Sequence, residues 1–376
     1  MASVSNSCRI VLHAFSSFDL GGQESRFVSM IDDLGPSFLH LVHAMDGRYG
    51  ARELITAQNV IFCPFKIKKG AGAPNFRILR DFLILKNPSL LVTYNFGAFE
   101  WVFSTAFLNI PHTHIEEGFT KEESKKRLLR RNLTRKIGMK IFRSRFVTVS
   151  SVIAKIAKIE WGVADTVIEI IPNGVDCGAF EKRRANASSQ FARNSSEVVV
   201  GTVARLRPEK NISRLLEAFS ILRRQCAARN LSVRLLVIGD GPQATALVQL
   251  AIDLGIANDV IFLGKRNNIA ELLREFDIFC LSSDTEQMPI SLVEAMASAL
   301  PAVCTNVGDI KQMVCEKNTE FVVNQSAAEI AKGLQALVEN IELRKQIGND
   351  NYAVARSKFS KDHMVKAWAR IYGNCR

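Results

Sequence analysis

Four charged side chains in the second half of the chain have the types and spacing to hold a phosphorylated, hydroxyl-rich molecule. Arg205 and Lys210 bracket one short loop, with Arg207 between them. Fixed cations beside a helix start can neutralise a diphosphate. Glu286 and Glu294 flank a second loop, with seven residues between them. Carboxylates repel phosphate but accept hydrogen bonds from hydroxyl groups, such as those of a sugar or a ribose. A ligand with a diphosphate in the middle and polyols at both ends meets both demands, which describes a nucleotide sugar. Each feature also has a plain structural reading. Ser291-Leu292-Val293-Glu294 has the form of a capping box, in which Glu294 only satisfies its own helix start. Glu286 alone is an ordinary loop carboxylate, and Arg205 and Lys210 alone are surface cations.

The elements around these residues must bring them to one edge. The apolar run Asp277-Ile278-Phe279-Cys280-Leu281 reads as a buried parallel strand, and residues 291–299 read as a helix, with a polar, proline-containing loop between them. A strand, a loop and a helix start at the carboxyl edge of an open parallel sheet form a usual seat for anionic ligands. The backbone N–H groups of residues 290–293 would face that ligand, and the helix dipole favours negative charge there. Upstream, residues 198–204 read as a strand, and Asn211 opens a helix running to Gln225. Further strand patterns at 233–239, 260–264 and 302–306 complete an open sheet, with an edge strand at 321–323. Helices are predicted over 326–338 and 340–358, and an amphipathic segment over 361–372.

The first half alternates in the same way. Strands are predicted at 9–15, 39–45, 60–65, 90–94, 146–150 and 167–171, with helices at 25–34, 74–87 and 98–108, so a parallel sheet with covered faces is expected. Gly21-Gly22 follows the first strand; paired glycines allow close backbone approach to a ligand, although a plain tight turn is the commoner explanation. The dinucleotide fingerprint G-x-G-x-x-G is absent there. In Pro111-His112-Thr113-His114-Ile115-Glu116, His114 and Glu116 share one face of a short strand. A histidine near a carboxylate can orient a hydroxyl or exchange a proton; the alternative is a loop with ordinary polar residues. Residues 125–145 carry ten Lys and Arg, with Leu128, Leu129, Leu133, Ile137 and Ile141 at helical spacing. This reads as a basic amphipathic helix, either a solvated face or a contact for anionic lipid headgroups. Residues 181–196 are polar and poor in large apolar side chains, as a linker would be.

The whole-chain properties set bounds. A length of 376 residues predicts two domains, and a net charge of +12 predicts an anionic partner. No zinc-finger or RNA-recognition signature is present, and aromatic residues do not interleave with the basic cluster, which argues against nucleic acid. Eight cysteines occur without a C-x-x-C pair, so a structural zinc or redox motif is not expected, and a reducing cytoplasm is the simplest setting. Residues 1–6 lack the basic and apolar regions of a signal peptide, and no apolar run has the length of a membrane span. The expected location is cytoplasmic, with any membrane contact peripheral.

With these residues assembled, the chain resembles the retaining glycosyltransferases of family 4, which have the GT-B fold. Gly201-Thr202-Val203-Ala204-Arg205-Leu206 with Lys210 is similar to the family's strand and R-x4-K clamp, and Glu286 and Glu294 match its E-x7-E motif. Ile171-Pro172-Asn173-Gly174-Val175-Asp176 resembles the family's I-P-N-G-V-D segment, and Gly21-Gly22 its N-terminal glycine loop. Tyr94-Asn95-Phe96-Gly97-Ala98 and His114-Ile115-Glu116-Glu117-Gly118-Phe119 resemble a bacterial branch of surface-polysaccharide and lipid-linked sugar enzymes.

The resemblance implies an α/β fold of two Rossmann-like, doubly wound parallel-sheet domains facing each other across a cleft. The first would span 1–180 and the second, nucleotide-sugar-binding domain 181–358, with a helix at 359–376 crossing back to the first. It implies that Arg205 and Lys210 hold the donor diphosphate, that Glu294 accepts from the ribose and that Glu286 contacts the donor sugar. Backbone groups of Met288, Pro289, Ile290 and Ser291 would hold sugar and phosphate, Gly22 would approach the diphosphate, and His114 would lie near the reacting sugar. Two departures bear on the donor pocket: the donor loop reads Glu286-Gln287-Met288-Pro289 where many members have E-G-F-G, and Val307-Gly308-Asp309-Ile310-Lys311 stands where G-G-x-x-E is usual. The activity implied is sugar transfer to a glycan or lipid-linked acceptor with retention at the anomeric carbon and no metal or other cofactor. A nucleotide-sugar epimerase and a non-catalytic scaffold at the membrane are the competing readings.

Overall fold

The computed structural model describes residues 9–19, 21–65, 67, 73–118, 128–142, 144–181, 194 and 196–373. The chain divides into two compact units, Met1–Asn173 with Asp362–Arg376, and Gly174–Lys361. Most of the expected linker, together with Lys125, Lys126, Arg127 and Arg143 of the basic segment, lies outside the described residues.

The first unit runs β1 (Arg9–Phe15), α1 (Gly22–Ile31), β2 (Phe38–Ala44), β3 (Val60–Phe62), α2 (Ala73–Lys86), β4 (Leu90–Tyr94), α3 (Glu100–Ser104), β5 (His112–Glu116), α4 (Leu129–Ile141), β6 (Arg145–Thr148), α5 (Ser151–Trp161) and β7 (Ile168–Ile170). Its strands form one parallel sheet in the order β3-β2-β1-β4-β5-β6-β7. Alternation along β1 sends Val11 and Phe15 to one face and Leu12 and Ala14 to the other. Both faces are covered, which is why β1 and β4 read as continuous apolar runs rather than alternating ones.

The second unit runs α6 (Cys177–Glu181), β8 (Val198–Val203), α7 (Ile212–Ala227), β9 (Val233–Ile238), α8 (Ala244–Asp253), β10 (Val260–Gly264), α9 (Ile269–Leu273), β11 (Ile278–Leu281), α10 (Ile290–Ala297), β12 (Ala302–Thr305), α11 (Ile310–Met313), β13 (Val322–Val323), α12 (Ala327–Glu339) and α13 (Ile341–Lys358). The sheet order is β10-β9-β8-β11-β12-β13, again parallel throughout. Cys280 and Cys304 lie fully buried in β11 and β12 as small apolar side chains. A Cβ on Gly201, in β8, would lie 2.1 Å from the Phe276 ring, so this strand position has room only for hydrogen.

The units part at 173/174 rather than at 180/181. Val175 N–H donates to Phe359 O at 2.9 Å and Lys361 N–H to Val175 O at 2.8 Å, which ties 174–181 into the second unit. The last helix, α14 (Lys361–Gly373), belongs to the first unit from Asp362 on. Met364, Trp368, Ile371 and Tyr372 recur at helical spacing and pack in the cluster that holds Val11, Phe15 and Phe27.

Candidate active site

In the second unit the strand order reverses between β8 and β11. Chain leaving β8 turns one way and chain leaving β11 the other, so the loops after them open a crevice at the carboxyl edge. Several bonds stitch these loops together. Asp284 N–H donates to Glu209 O at 2.8 Å. Arg214 donates to Ser282 O at 2.8 Å and to Asp284 Oδ1 at 2.7 Å, and Ser282 Oγ donates to Asn211 O at 2.9 Å. Asn211 takes a left-handed backbone, φ 44°, that asparagine tolerates, and its side-chain oxygen accepts from Arg214 N–H at 3.2 Å as the cap of α7. The outcome is that Lys210 Nζ meets Glu286 Oε1 at 2.5 Å, and Ser283 Oγ donates to the same oxygen at 2.7 Å. The Glu286 side chain is 9% exposed and that of Lys210 25%. Glu286 Oε2 has no partner among the described residues. Arg205 sits exposed on the β8 loop.

Two neighbouring loops press against this pair, and both depend on glycine. Gly239, φ 136°, follows β9; a Cβ there would lie 1.8 Å from Ala204 O, directly before Arg205. Leu206 N–H donates to Asp240 O at 3.0 Å, which holds the Arg205 loop to the Gly239-Asp240-Gly241 turn. Gly308, φ 56°, follows β12; a Cβ there would lie 2.3 Å from Glu286 O. Asp309 N–H donates to Gln287 O at 3.1 Å and Thr305 Oγ1 to Ser283 O at 2.6 Å. The departure from G-G-x-x-E therefore keeps a glycine at 308, where the left-handed backbone packs against Glu286 and Gln287. The sequence places Gly239 at the end of a strand; the glycine-acid-glycine run Gly239-Asp240-Gly241 directly at that strand end is the signal that marks this turn.

Helix α10 begins at Ile290 with Pro289 as its N-cap, and no side chain caps it. The capping-box alternative is therefore not what the structure contains: Ser291 already lies inside the helix. Leu292 and Val293 N–H donate to Pro289 O, so only Ile290 and Ser291 of the expected 290–293 present N–H groups that lack an intrahelical carbonyl. Met288 and Pro289 are buried and fix the approach to the helix. Glu294 is half-buried, with no ion-pair partner among the described residues, and burial pushes its carboxyl up to about 7.

In the first unit the strand order reverses between β1 and β4. Gly22 is exposed in the first turn of α1 with nothing within 4 Å of its Cβ position. Asn95, just past β4, has φ 55° and ψ 173°, a conformation rare outside glycine. Its side chain holds two neighbouring segments, donating to Gln23 Oε1 at 2.9 Å and accepting from Glu117 N–H at 3.0 Å. Arg26, buried in α1, pairs with Glu117. His114 does not reach the edge. Its side chain has 0% exposure; Nδ1 bonds Thr93 Oγ1 at 2.8 Å, Nε2 lies 3.6 Å from Glu116 Oε2, and Phe99 packs edge-on against the ring. His114, which the resemblance places near the reacting sugar, is thus a buried side chain here: alternation along β5 turns it into the core. Glu116 also accepts from buried Arg135 at 3.0 Å, which removes that cation from the solvent face of α4.

Residues 183–354 match the family model described as Glycosyl transferases group 1. N-acetyl-alpha-D-glucosaminyl L-malate synthase of Bacillus anthracis is 27% identical over 208 residues, 54% of this chain and 53% of that protein. The GPI3 subunit of phosphatidylinositol N-acetylglucosaminyltransferase from Saccharomyces cerevisiae is 25% identical over 94% of this chain and 80% of its own. The chain spans about half the length of the bacterial relatives it matches, or less. Among solved structures, HepE of Anabaena in complex with UDP superposes with a TM-score of 0.81 at 19% identity, covering 96% of this chain and 99% of that one. The chain has the GT-B fold of these glycosyltransferases, with the Glycosyl transferases group 1 match in its second half.

Proposed function

We propose that the protein transfers a sugar from a nucleotide-diphosphate donor to a hydroxyl of a glycan or lipid-linked acceptor, with retention at the anomeric carbon and without a metal. The observation that carries this reading is the Lys210–Glu286 pair at the reversal of the second sheet. Transfer breaks the bond between the anomeric carbon and the diphosphate oxygen, and the electron pair stays on that oxygen. Arg205, Lys210 and the N–H groups of Ile290 and Ser291 stabilise the charge that develops there. The acceptor oxygen bonds to the anomeric carbon on the face the diphosphate leaves, and its proton passes to the departing phosphate oxygen. Glu286 holds Lys210 through Oε1 and offers Oε2 to a hydroxyl of the donor sugar. Glu294 accepts from the ribose. The anionic surface expected to meet the basic helix belongs to the same reading, with the protein peripheral to it.

The test is nucleotide release and product formation by Arg205→Ala and Lys210→Ala. Each should lower kcat by about 10²–10³, the loss expected when one fixed donor to a developing oxyanion is removed. Full activity in either variant would refute the site. Epimerised donor in the absence of acceptor would favour the epimerase reading instead.

A further inference from the structure

Helices α2, α3, α4 and α5 form one layer on the sheet face lined by Leu12, Ala14 and Leu91. The inner side of α4 is closed: Arg135, Gly138 and Met139 are buried, and a Cβ on Gly138 would lie 2.5 Å from Phe99 Cε1. Its outer side is open. Leu129, Leu133, Ile137 and Ile141, each one helical turn from the next, are 84%, 57%, 42% and 64% exposed. Arg130, Lys136 and Lys140 are exposed on the same helix, and no acidic residue occurs between Leu129 and Ile141. In the turn that follows α3, Phe107 is 101% exposed with φ 60°. A bulky side chain in the left-handed region is strained, and nothing among the described residues covers it. The turn that carries it is held from two sides. Arg80 of α2 donates to Ala106 O, and Phe103 packs edge-on against Phe142 at 5.8 Å. On α2, Ile84 and Leu85 are also exposed.

We infer that this face docks on an anionic bilayer surface, with the α4 stripe in the headgroup layer and Phe107 inserted beside it. An exposed apolar stripe flanked only by cations fits an interfacial helix, whose apolar side enters the acyl boundary while its cations meet lipid phosphates. An aromatic ring on a fixed turn suits the same depth. A second copy of this chain is a poorer occupant: a two-fold contact through α4 would set Arg130, Lys136 and Lys140 against their own images with no acid on the helix to answer them. The inference extends the membrane part of the proposed function to a defined face, and it does not depend on the transfer chemistry.

The experiment is co-sedimentation of the full chain with vesicles of phosphatidylcholine alone and of phosphatidylcholine mixed with phosphatidylglycerol, at low and high salt. Binding is expected only to the anionic vesicles and is expected to weaken with salt. Each lost cation should lower partitioning about five-fold, so Lys136→Glu with Lys140→Glu should lower it by at least about 25-fold. Phe107→Ser and the double change Leu133→Gln with Ile137→Gln should each lower it by about ten-fold or more. These side chains lie on the surface, so circular dichroism and thermal melts should match the parent, and so should nucleotide binding. Equal binding to neutral vesicles, no binding to either, or full binding by the variants would overturn the inference. So would a dimer that Leu133→Gln with Ile137→Gln dissolves in a chain that ignores lipid. None of these failures touches donor binding by the second unit, so they are separable from failure of the glycosyltransferase reading.

Discussion

Acidification should loosen the first unit selectively, because that unit buries nearly all the histidines of the chain. Five of the six, His13, His40, His43, His112 and His114, are buried within it, and the second unit has none. Burial lowers all five from the ordinary 6.5; His40 falls to about 4, and His13 and His112 lie well below 6.5. The unfolded chain therefore binds protons below 6.5 that the fold refuses, and stability falls as pH falls, until the folded histidines themselves titrate. Between pH 7 and 5 each histidine held neutral costs about 2 kcal/mol, so His13, His40 and His112 cost about 6 kcal/mol. Glu24 acts in the opposite direction: burial lifts it to about 7, so the fold holds a proton that the unfolded carboxylate has already shed, which returns about 2 kcal/mol. Glu117, raised by burial against the pull of Arg26, returns at most a similar amount. A net loss of about 2–4 kcal/mol remains, a large share of the roughly 5–15 kcal/mol that holds a domain. Trp101, Trp161 and Trp368 all belong to the first unit, so tryptophan fluorescence in a urea titration reads this unit alone. A urea midpoint at pH 5 equal to or above that at pH 7 would refute the argument.

The second unit makes two further predictions. If Glu294 accepts from ribose as a carboxylate, the proton it holds below about 7 must leave first. Nucleotide affinity should then rise about five- to ten-fold between pH 6 and 8, and Glu294→Gln should both weaken binding and flatten that profile; calorimetry across the range checks both. Gly239→Ala should push on Ala204 O and displace the loop that carries Arg205, so kcat should fall by at least about ten-fold, and the strain at φ 136° should lower the thermal midpoint as well. Unchanged turnover would show that the contact does not set the Arg205 position.

Much of the fold was legible because buried parallel strands write themselves as continuous apolar runs. The strands at 9–15, 90–94 and 260–264 have the ends that the sequence predicts. What sequence periodicity does not state is which side of an element faces the core when both sides hold polar residues. His114 and Glu116 alternate correctly along β5, yet the face they share is the interior one, closed by Phe99 and Arg135. In α4 the reverse holds: the apolar stripe that looks like a core face points outward, because Gly138 and Met139 make the inner contact with α3. The positions of the site residues at strand ends were readable from the alternation of strands and helices. The bonds that align them were not, since Arg214 and Asp284 meet across 70 residues of chain.

The Lys210–Glu286 contact changes what the two motifs mean. Read separately, a cation serves the phosphate and a carboxylate serves the sugar. In the structure they hold each other: Oε1 of Glu286 takes both the ammonium and the Ser283 hydroxyl, and Oε2 is left over. One carboxylate can thus fix the direction of a cation that carries two more donors and still accept from a hydroxyl. Loss of Glu286 would free the Lys210 ammonium as well as remove an acceptor. A neutral amide in its place keeps an oxygen for the hydroxyl but holds the ammonium more weakly. The separation of the two roles lies in the geometry of the reversal point, where loops after β8 and β11 converge, and Gly308 is what lets the second loop sit close enough to do it.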